Sequence, residues 1–211
     1  ASTEIYYSSI DMNLNGGLGG VVSKNNIAVT GSFGWGLSAC KHGNGRDWWV
    51  IALSDSGRVA HKILVTPDTV LNIGSQNLQV PAYVVWGGQA TFSPDGNQFA
   101  FSHNKFLGTG QNPLDIRLFD FDRCTGNFLN KMYVALGDST GGLGVSFSAD
   151  SRFLYVCSVQ KIYQFDTDAS NVSSSKLTVA VNDTFLSAPP VFYTNFYLMY
   201  LAANGKIYIT S

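Results

Sequence analysis

Short runs of alternating apolar and polar residues, each closed by a turn, fill most of this 211-residue chain. Leu114, Ile116 and Leu118 alternate with Asp115, Arg117 and Phe119, the period of two expected of a half-buried strand. Gln98–His103 and Lys161–Phe165 follow the same pattern. No segment sustains an apolar period of 3.6, so the pattern predicts almost no helix beyond one short turn within Asp168–Ser175.

The runs recur. Phe92-Ser93-Pro94-Asp95-Gly96 returns as Phe147-Ser148-Ala149-Asp150-Ser151 and, more loosely, as Leu201-Ala202-Ala203-Asn204-Gly205, with starts 55 and then 54 residues apart. An apolar run follows each copy. A fixed period built of strand–turn–strand units marks a radial or solenoid repeat, and four short strands per period point to a β-propeller. The predicted fold is therefore all-β, a propeller of four-stranded antiparallel blades.

The clearest repeat places an inner strand at Gln89–Ser93, a tight turn at Pro94-Asp95-Gly96, and strands at Gln98–His103, Leu114–Phe121 and Phe128–Val134. The loop Asn104–Pro113 and the turn Asp122–Gly126 join them. The next repeat runs from Gly144 to Val181. The preceding one places strands at Leu37–His42, Trp48–Leu53, Arg58–Thr66 and, more weakly, Val70–Val80. Ile5–Met12 and Ile27–Thr30 read as the outer half of an earlier blade, and Leu198–Thr210 as the inner half of a later one. The expected division is a half blade at 1–33, blades at about 34–85, 86–140 and 141–186, and a half blade at 187–211. The halves could join into a fourth blade, which pairing of Ile5–Met12 with Lys206–Thr210 would mark. The expectation is instead that the chain is part of a larger propeller.

Composition narrows the function classes. Charged residues are 13% against about a quarter in ordinary proteins, and apolar residues are 45%. That balance suits an extracellular all-β protein. A net charge of -1 supplies no field for nucleic acid or an anionic membrane, and no run approaches the roughly 18 apolar residues of a membrane span. No signal sequence is visible at Ala1, so the chain looks processed or cropped. Cys40, Cys124 and Cys157 lack metal-ligand spacing and allow at most one disulfide. Cys40 and Cys157 read as buried strand residues, and Cys124 as an exposed turn residue.

The densest candidate chemistry is His42-Gly43-Asn44-Gly45-Arg46-Asp47-Trp48-Trp49. As a ligand loop it would use His42, Asn44, Arg46 and Asp47, with Trp48 or Trp49 stacking on a sugar or peptide. As a structural loop, which is the stronger expectation, Arg46–Asp47 and an Asn/Gly turn pin the strand entry while one tryptophan fills the space between blades. Adjacent strand residues face opposite sides, so at most one tryptophan is buried there. Asp120/Asp122 and Asp166/Asp168 could approach a Ca²⁺ ion, but no Asp-x-Asp-x-Asp-Gly loop follows, and such aspartates more often accept backbone N–H groups. No metal or cofactor is expected. There is no G-x-S-x-G and no H-E-x-x-H, and His42, His61 and His103 are scattered along the chain. Glu4 is the only glutamate, so a paired-carboxylate hydrolase would have to use aspartates.

Ala39-Cys40-Lys41-His42-Gly43-Asn44-Gly45-Arg46-Asp47-Trp48-Trp49 resembles a signature of secreted bacterial WD-repeat-like propellers exported by the type IX secretion system. Asp11-Met12-Asn13-Leu14-Asn15-Gly16-Gly17-Leu18-Gly19, Phe119-Asp120-Phe121-Asp122-Arg123-Cys124-Thr125-Gly126 and Tyr163-Gln164-Phe165-Asp166 extend the likeness in the family's order. Members are longer and usually end in a sorting domain. The resemblance implies a propeller, a secreted or cell-surface location, the secretion machinery as a partner during export, and surface polysaccharide or other cell-surface proteins as further partners. The resulting expectation is a non-enzymatic binding or adhesion module. The alternative is a propeller domain of a polysaccharide-active or peptidase-associated secreted enzyme.

Overall fold

A computed structural model gives the structure, described here for residues 2–81, 88–104, 114–138 and 141–211. The chain is all-β. Its first sheet has five strands in chain order: β1 (Ser2–Asp11), β2 (Gly20–Lys41), β3 (Trp48–Ser54), β4 (Val59–Val65) and β5 (Val70–Asn77). The second is a four-stranded meander of β6 (Ala90–Phe92), β7 (Gln98–Asn104), β8 (Leu114–Asp122) and β9 (Asn127–Ala135). The third repeats it with β10 (Val145–Phe147), β11 (Phe153–Cys157), β12 (Lys161–Asp166) and β13 (Leu177–Val181). A two-stranded sheet, β14 (Met199–Leu201) with β15 (Ile207–Ile209), comes last. All pairings are antiparallel, as expected of propeller blades. Of the two 3₁₀ turns among the described residues, Asn15–Gly17 and Val172–Ser175, the second falls where the sequence allows one.

The sheets stack face on face. Trp49, Ile51 and Leu53 of the first sheet meet Phe99, Phe101, Phe119 and Phe121 of the second. Ile116 and Leu118 turn the other way and meet Phe147, Leu154 and Phe165 of the third. A blade inside a propeller is thus covered on both faces, and this corrects one expectation. The alternation in β8 suggested a half-buried strand, yet Asp115 and Arg117 are only 3% and 2% exposed. Their polarity is absorbed inside the interface. The Arg117 guanidinium lies 4.3 Å over the Tyr133 ring and 3.7 Å from Asp115, whose other oxygen accepts the Tyr133 hydroxyl at 2.5 Å.

Strand β2 is 22 residues long and belongs to two layers. Its first half pairs with β1, with Val29 and Phe33 packed on Ala52 and Ile63 across the outer face of the first sheet. Its second half pairs with β3 as the inner strand of that sheet, after a register break between Phe33 and Leu37. Gly34 and Gly36 lie in the break. A β-carbon at Gly36 would meet the Leu53 side chain at 2.6 Å, so the chain turns the corner only without one. Strand β1 pairs with β2 and not with β15, so among the described residues the two ends are not joined into a fourth blade by that pairing. The loop expected at Asn104–Pro113 lies outside the described residues from position 105.

The inner strands β6, β10 and β14 are three residues each. Gln89 ties them together. Its side-chain oxygen accepts the backbone N–H of Val145 at 3.2 Å and of Met199 at 3.0 Å, and its amide nitrogen donates to the Met199 carbonyl at 2.6 Å.

The tryptophan pair divides as the alternation requires. Trp49 is 3% exposed, and its indole N–H donates to the Arg123 carbonyl of the second sheet at 2.8 Å. Gly126, at φ 70°, lies under the ring, where a β-carbon would come within 2.7 Å. Trp48 is 42% exposed. Trp49→Ala should therefore cost about 3–5 kcal/mol in denaturant unfolding, and Trp48→Ala little; equal losses would contradict this packing. Cys40, Cys124 and Cys157 are all free thiols, with only Cys124 exposed. Burial pushes the Cys40 thiol up to about 12 against a weaker pull from Arg123, and also raises Cys157. A thiol-reactive disulfide should label one cysteine quickly in the native protein and the other two only after unfolding.

Candidate functional site

The loop after β2 repeats the turn that follows each other inner strand. Asn44, Asp95, Asp150 and Asn204 are its equivalent positions. Each accepts the backbone N–H two residues on, belonging to Arg46, Asn97, Arg152 and Lys206, at 3.0–3.2 Å. The residue between has positive φ in all four: Gly45, Gly96, Ser151 and Gly205. Ser93 and Ser148 add hydroxyls that accept from Gln98 and Phe153, each at 2.9 Å.

This accounts for most of the candidate ligand loop. The Asn44 side chain accepts from the Asp47 backbone at 3.0 Å and donates to the Asp47 carboxylate at 2.7 Å, and Arg46 donates to the same carboxylate at 2.8 Å. His42 Nδ1 accepts the Asn44 backbone N–H at 3.0 Å, and the imidazole lies 5.5 Å from the Trp49 ring. His42, Asn44, Arg46 and Asp47 therefore close on one another. Of the five sequence candidates, only Trp48 lines the large pocket.

That pocket, about 760 Å³, lies on the propeller axis and is bordered by the inner strands of all four sheets. Two cations line it, Lys41 and Arg123. Lys41 ends inner strand β2 at the position that the other copies fill with Phe92, Phe147 and Leu201. Its ammonium sits 5.8 Å from the Trp48 ring centroid. Arg123 comes from the β8–β9 turn and reaches across Gly96, where a β-carbon would stand 2.7 Å from its Cδ. Among the described residues, neither cation has a carboxylate within ion-pair distance. Gln89, Thr91, Ser146 and Tyr200 add polar groups to the wall. Neither Lys41 nor Arg123 stands out as a site residue in the sequence. Aligning His42-Gly43-Asn44-Gly45 as a fourth copy of the turn would have exposed Lys41, a charge in a slot otherwise apolar.

Among the described residues, Asp95 is the only carboxylate lining the pocket. Burial pushes its pKa up, but hydrogen bonds from Ser93, Asn97 and Ser151 outweigh it, and the group stays below the usual carboxylate range. Its oxygens are engaged by the Ser93 hydroxyl at 2.5 Å and the Asn97 side chain at 2.9 Å. The recurring aspartates are similarly occupied. Asp122 accepts the Cys124 backbone N–H at 2.8 Å and the Thr125 hydroxyl at 2.7 Å, Asp120 accepts Asn130 at 2.7 Å, and Asp166 holds Arg152 in a two-point contact of 3.2 and 2.7 Å. They act as turn acceptors and ion-pair partners. Among the described residues no three His, Cys, Asp or Glu side chains converge to hold a metal ion.

No family model and no curated protein matches the chain. Solved structures do. One is a provisionally assigned 6-phosphogluconolactonase from Bacteroides uniformis, which superposes with a TM-score of 0.52 and 14% identity over 96% of this chain and 63% of its own. Another bearing that provisional name, from Bacteroides fragilis, gives a TM-score of 0.45 and 15% identity over 67% of this chain and 36% of its own. The chain spans less than two thirds of the length of either. At such identities the likeness establishes the fold, and the chain is a β-propeller. The finer resemblance to type IX cargo finds no counterpart among these structures. The expectation of a secreted, non-enzymatic adhesion module is corrected by the Bacteroides uniformis structure, a propeller of this shape that bears an enzyme's name.

The acidic groups give the fold a pH dependence with a definite sign. Asp47 is lowered by hydrogen bonds from Arg46 and then Asn44, Asp122 by those from Thr125 and Cys124, Asp150 chiefly by Ser148, and Asp166 chiefly by Arg152. A carboxyl held below its unfolded value stabilises the fold above that value, and the contribution disappears as pH falls through the folded one. Urea midpoints should hold through neutral pH and fall below about pH 4. Asp166→Asn should flatten that fall; an unchanged slope would remove the Arg152 contact from the account.

Proposed function

We propose that this chain takes up a small anionic sugar derivative in the axial pocket, in the manner of an enzyme site. The observation that carries the reading is the pair of cations, Lys41 and Arg123, facing an open pocket without a carboxylate partner while Asp95 is committed to its own turn. Arg123 is half-buried and Lys41 exposed at the pocket wall, and two cations converging on one pocket repel each other, a cost that a bound anion relieves. A volume of about 760 Å³ falls within the range of small-molecule sites. The named propellers of the same fold supply the ligand class, a phosphorylated sugar lactone or its open acid.

The chemistry these residues support is stabilisation of negative charge. They can hold a phosphate or carboxylate, and they can stabilise the oxyanion formed when water, giving its proton to bulk solvent, adds to a lactone carbonyl, before the ring C–O bond breaks and the leaving oxygen takes a proton back from solvent. None of the lining residues is an activated nucleophile. Cys40 is kept protonated by burial, and the nearest catalytic base by type, Asp95, is already saturated with donors. The reaction proposed is therefore water addition assisted electrostatically, not a covalent relay.

Calorimetric titration with 6-phosphogluconate tests the site. Binding should weaken as salt rises, and Lys41→Ala or Arg123→Ala should each raise Kd about tenfold or more. Wild-type affinity in both variants would remove the axial pocket from consideration. A lactone hydrolysis assay tests the reaction: acceleration that disappears in the same variants supports it, and unaltered spontaneous hydrolysis overturns it.

A further inference from the structure

Comparing the blades position by position isolates a second anomaly beside the cations. In the second sheet, Phe92 and Phe99 are cross-strand partners, and both are buried. In the third, Phe147 and Leu154 are the corresponding partners, and both are buried. In the first sheet, the same register position pairs Lys41 with Trp48. This pair is exposed and lines the axial pocket. Two blades thus place apolar core at this position, and the first places a cation over an indole ring that is 42% exposed.

We propose that Trp48 is the specificity-determining platform of the axial pocket, on which the ring of an anionic sugar stacks with its charged substituent toward Lys41. The inference rests on the anion-site reading above and adds what selects the ligand. A sugar ring has one face of C–H groups that packs on an indole, and hydroxyls around its rim that need polar partners. The pocket offers both. Trp48 supplies the face, while Thr91, Ser146 and Tyr200 offer hydroxyls on the inner strands. The Thr91 and Ser146 hydroxyls donate only long bonds to neighbouring carbonyls, at 3.2 and 3.3 Å, and keep their lone pairs for a ligand hydroxyl. Lys41, 5.8 Å from the ring centroid, is placed to meet an anion borne by a ring lying on Trp48. The backbone that carries Trp48 is anchored, because its neighbour Trp49 donates to the Arg123 carbonyl of the second sheet, which limits the ordering left to do on binding.

The test compares probes that separate charge from ring. Kd is measured for inorganic phosphate, glucose 6-phosphate and adenosine monophosphate against wild type, Trp48→Ala and Trp48→Phe, with circular dichroism to confirm folding. Glucose 6-phosphate should bind wild type about tenfold more tightly than phosphate. Trp48→Ala should erase that advantage and leave phosphate affinity unchanged, and Trp48→Phe should restore much of it. Quenching of tryptophan fluorescence by the sugar phosphate should also disappear in Trp48→Ala. If phosphate and glucose 6-phosphate bind wild type equally, the platform is overturned while the anion site stands. If adenosine monophosphate binds best through Trp48, the sugar assignment is overturned in favour of a base. If no anion binds at all, the anion-site reading fails first and the platform with it.

Discussion

The side-chain amide of Gln89 is the constraint on which the axis of this molecule depends. Inner strands of three residues present backbone N–H and C=O groups that no further strand can pair at the centre of a propeller. A glutamine matches that need, since it carries both an acceptor and two donors on one short arm. By meeting Val145 and both polar groups of Met199, Gln89 sets three sheets in register around the pocket. The large aromatic interfaces outside it supply most of the apolar burial, but they are non-directional and tolerate sliding. The three directional bonds at the centre convert stacked sheets into a defined wall.

Much of the fold was legible because propeller strands are short, local and punctuated. The turn at Phe92–Gly96 and its copies mark the blades, and the strands following them lie within a few residues of their expected places. Legibility failed where burial comes from a distant blade. Asp115 and Arg117 alternate like solvent-facing residues, yet both are buried, because the first sheet covers that face and a tyrosine–carboxylate–guanidinium cluster brings them together. It failed again at β2, where the sequence suggests two separate strands and the chain runs through 22 residues across a glycine-bearing corner.

The structural reading of the loop His42–Asp47 was the stronger one in the sequence, and the structure shows its polar groups engaged with one another, Asn44 and Arg46 both closing on Asp47. The informative residue was Lys41, one position before. A lysine at the end of a strand looks ordinary until three structural copies show what normally stands there. Internal repeats thus serve as an alignment contained within one chain, and departures from the repeat carry more information than the richness of any single loop.

The carbonyl of Arg123 accepts two donors from the first sheet, the indole of Trp49 and the backbone N–H of Gly43 at 2.9 Å. The same residue's side chain reaches into the axial pocket. A residue that is stapled to one blade, grown from another and open to the centre makes occupancy and blade cohesion two readings of a single equilibrium. The seam between the first two sheets and the positive side of the axial pocket thus share one residue, so a change at Arg123 touches both at once.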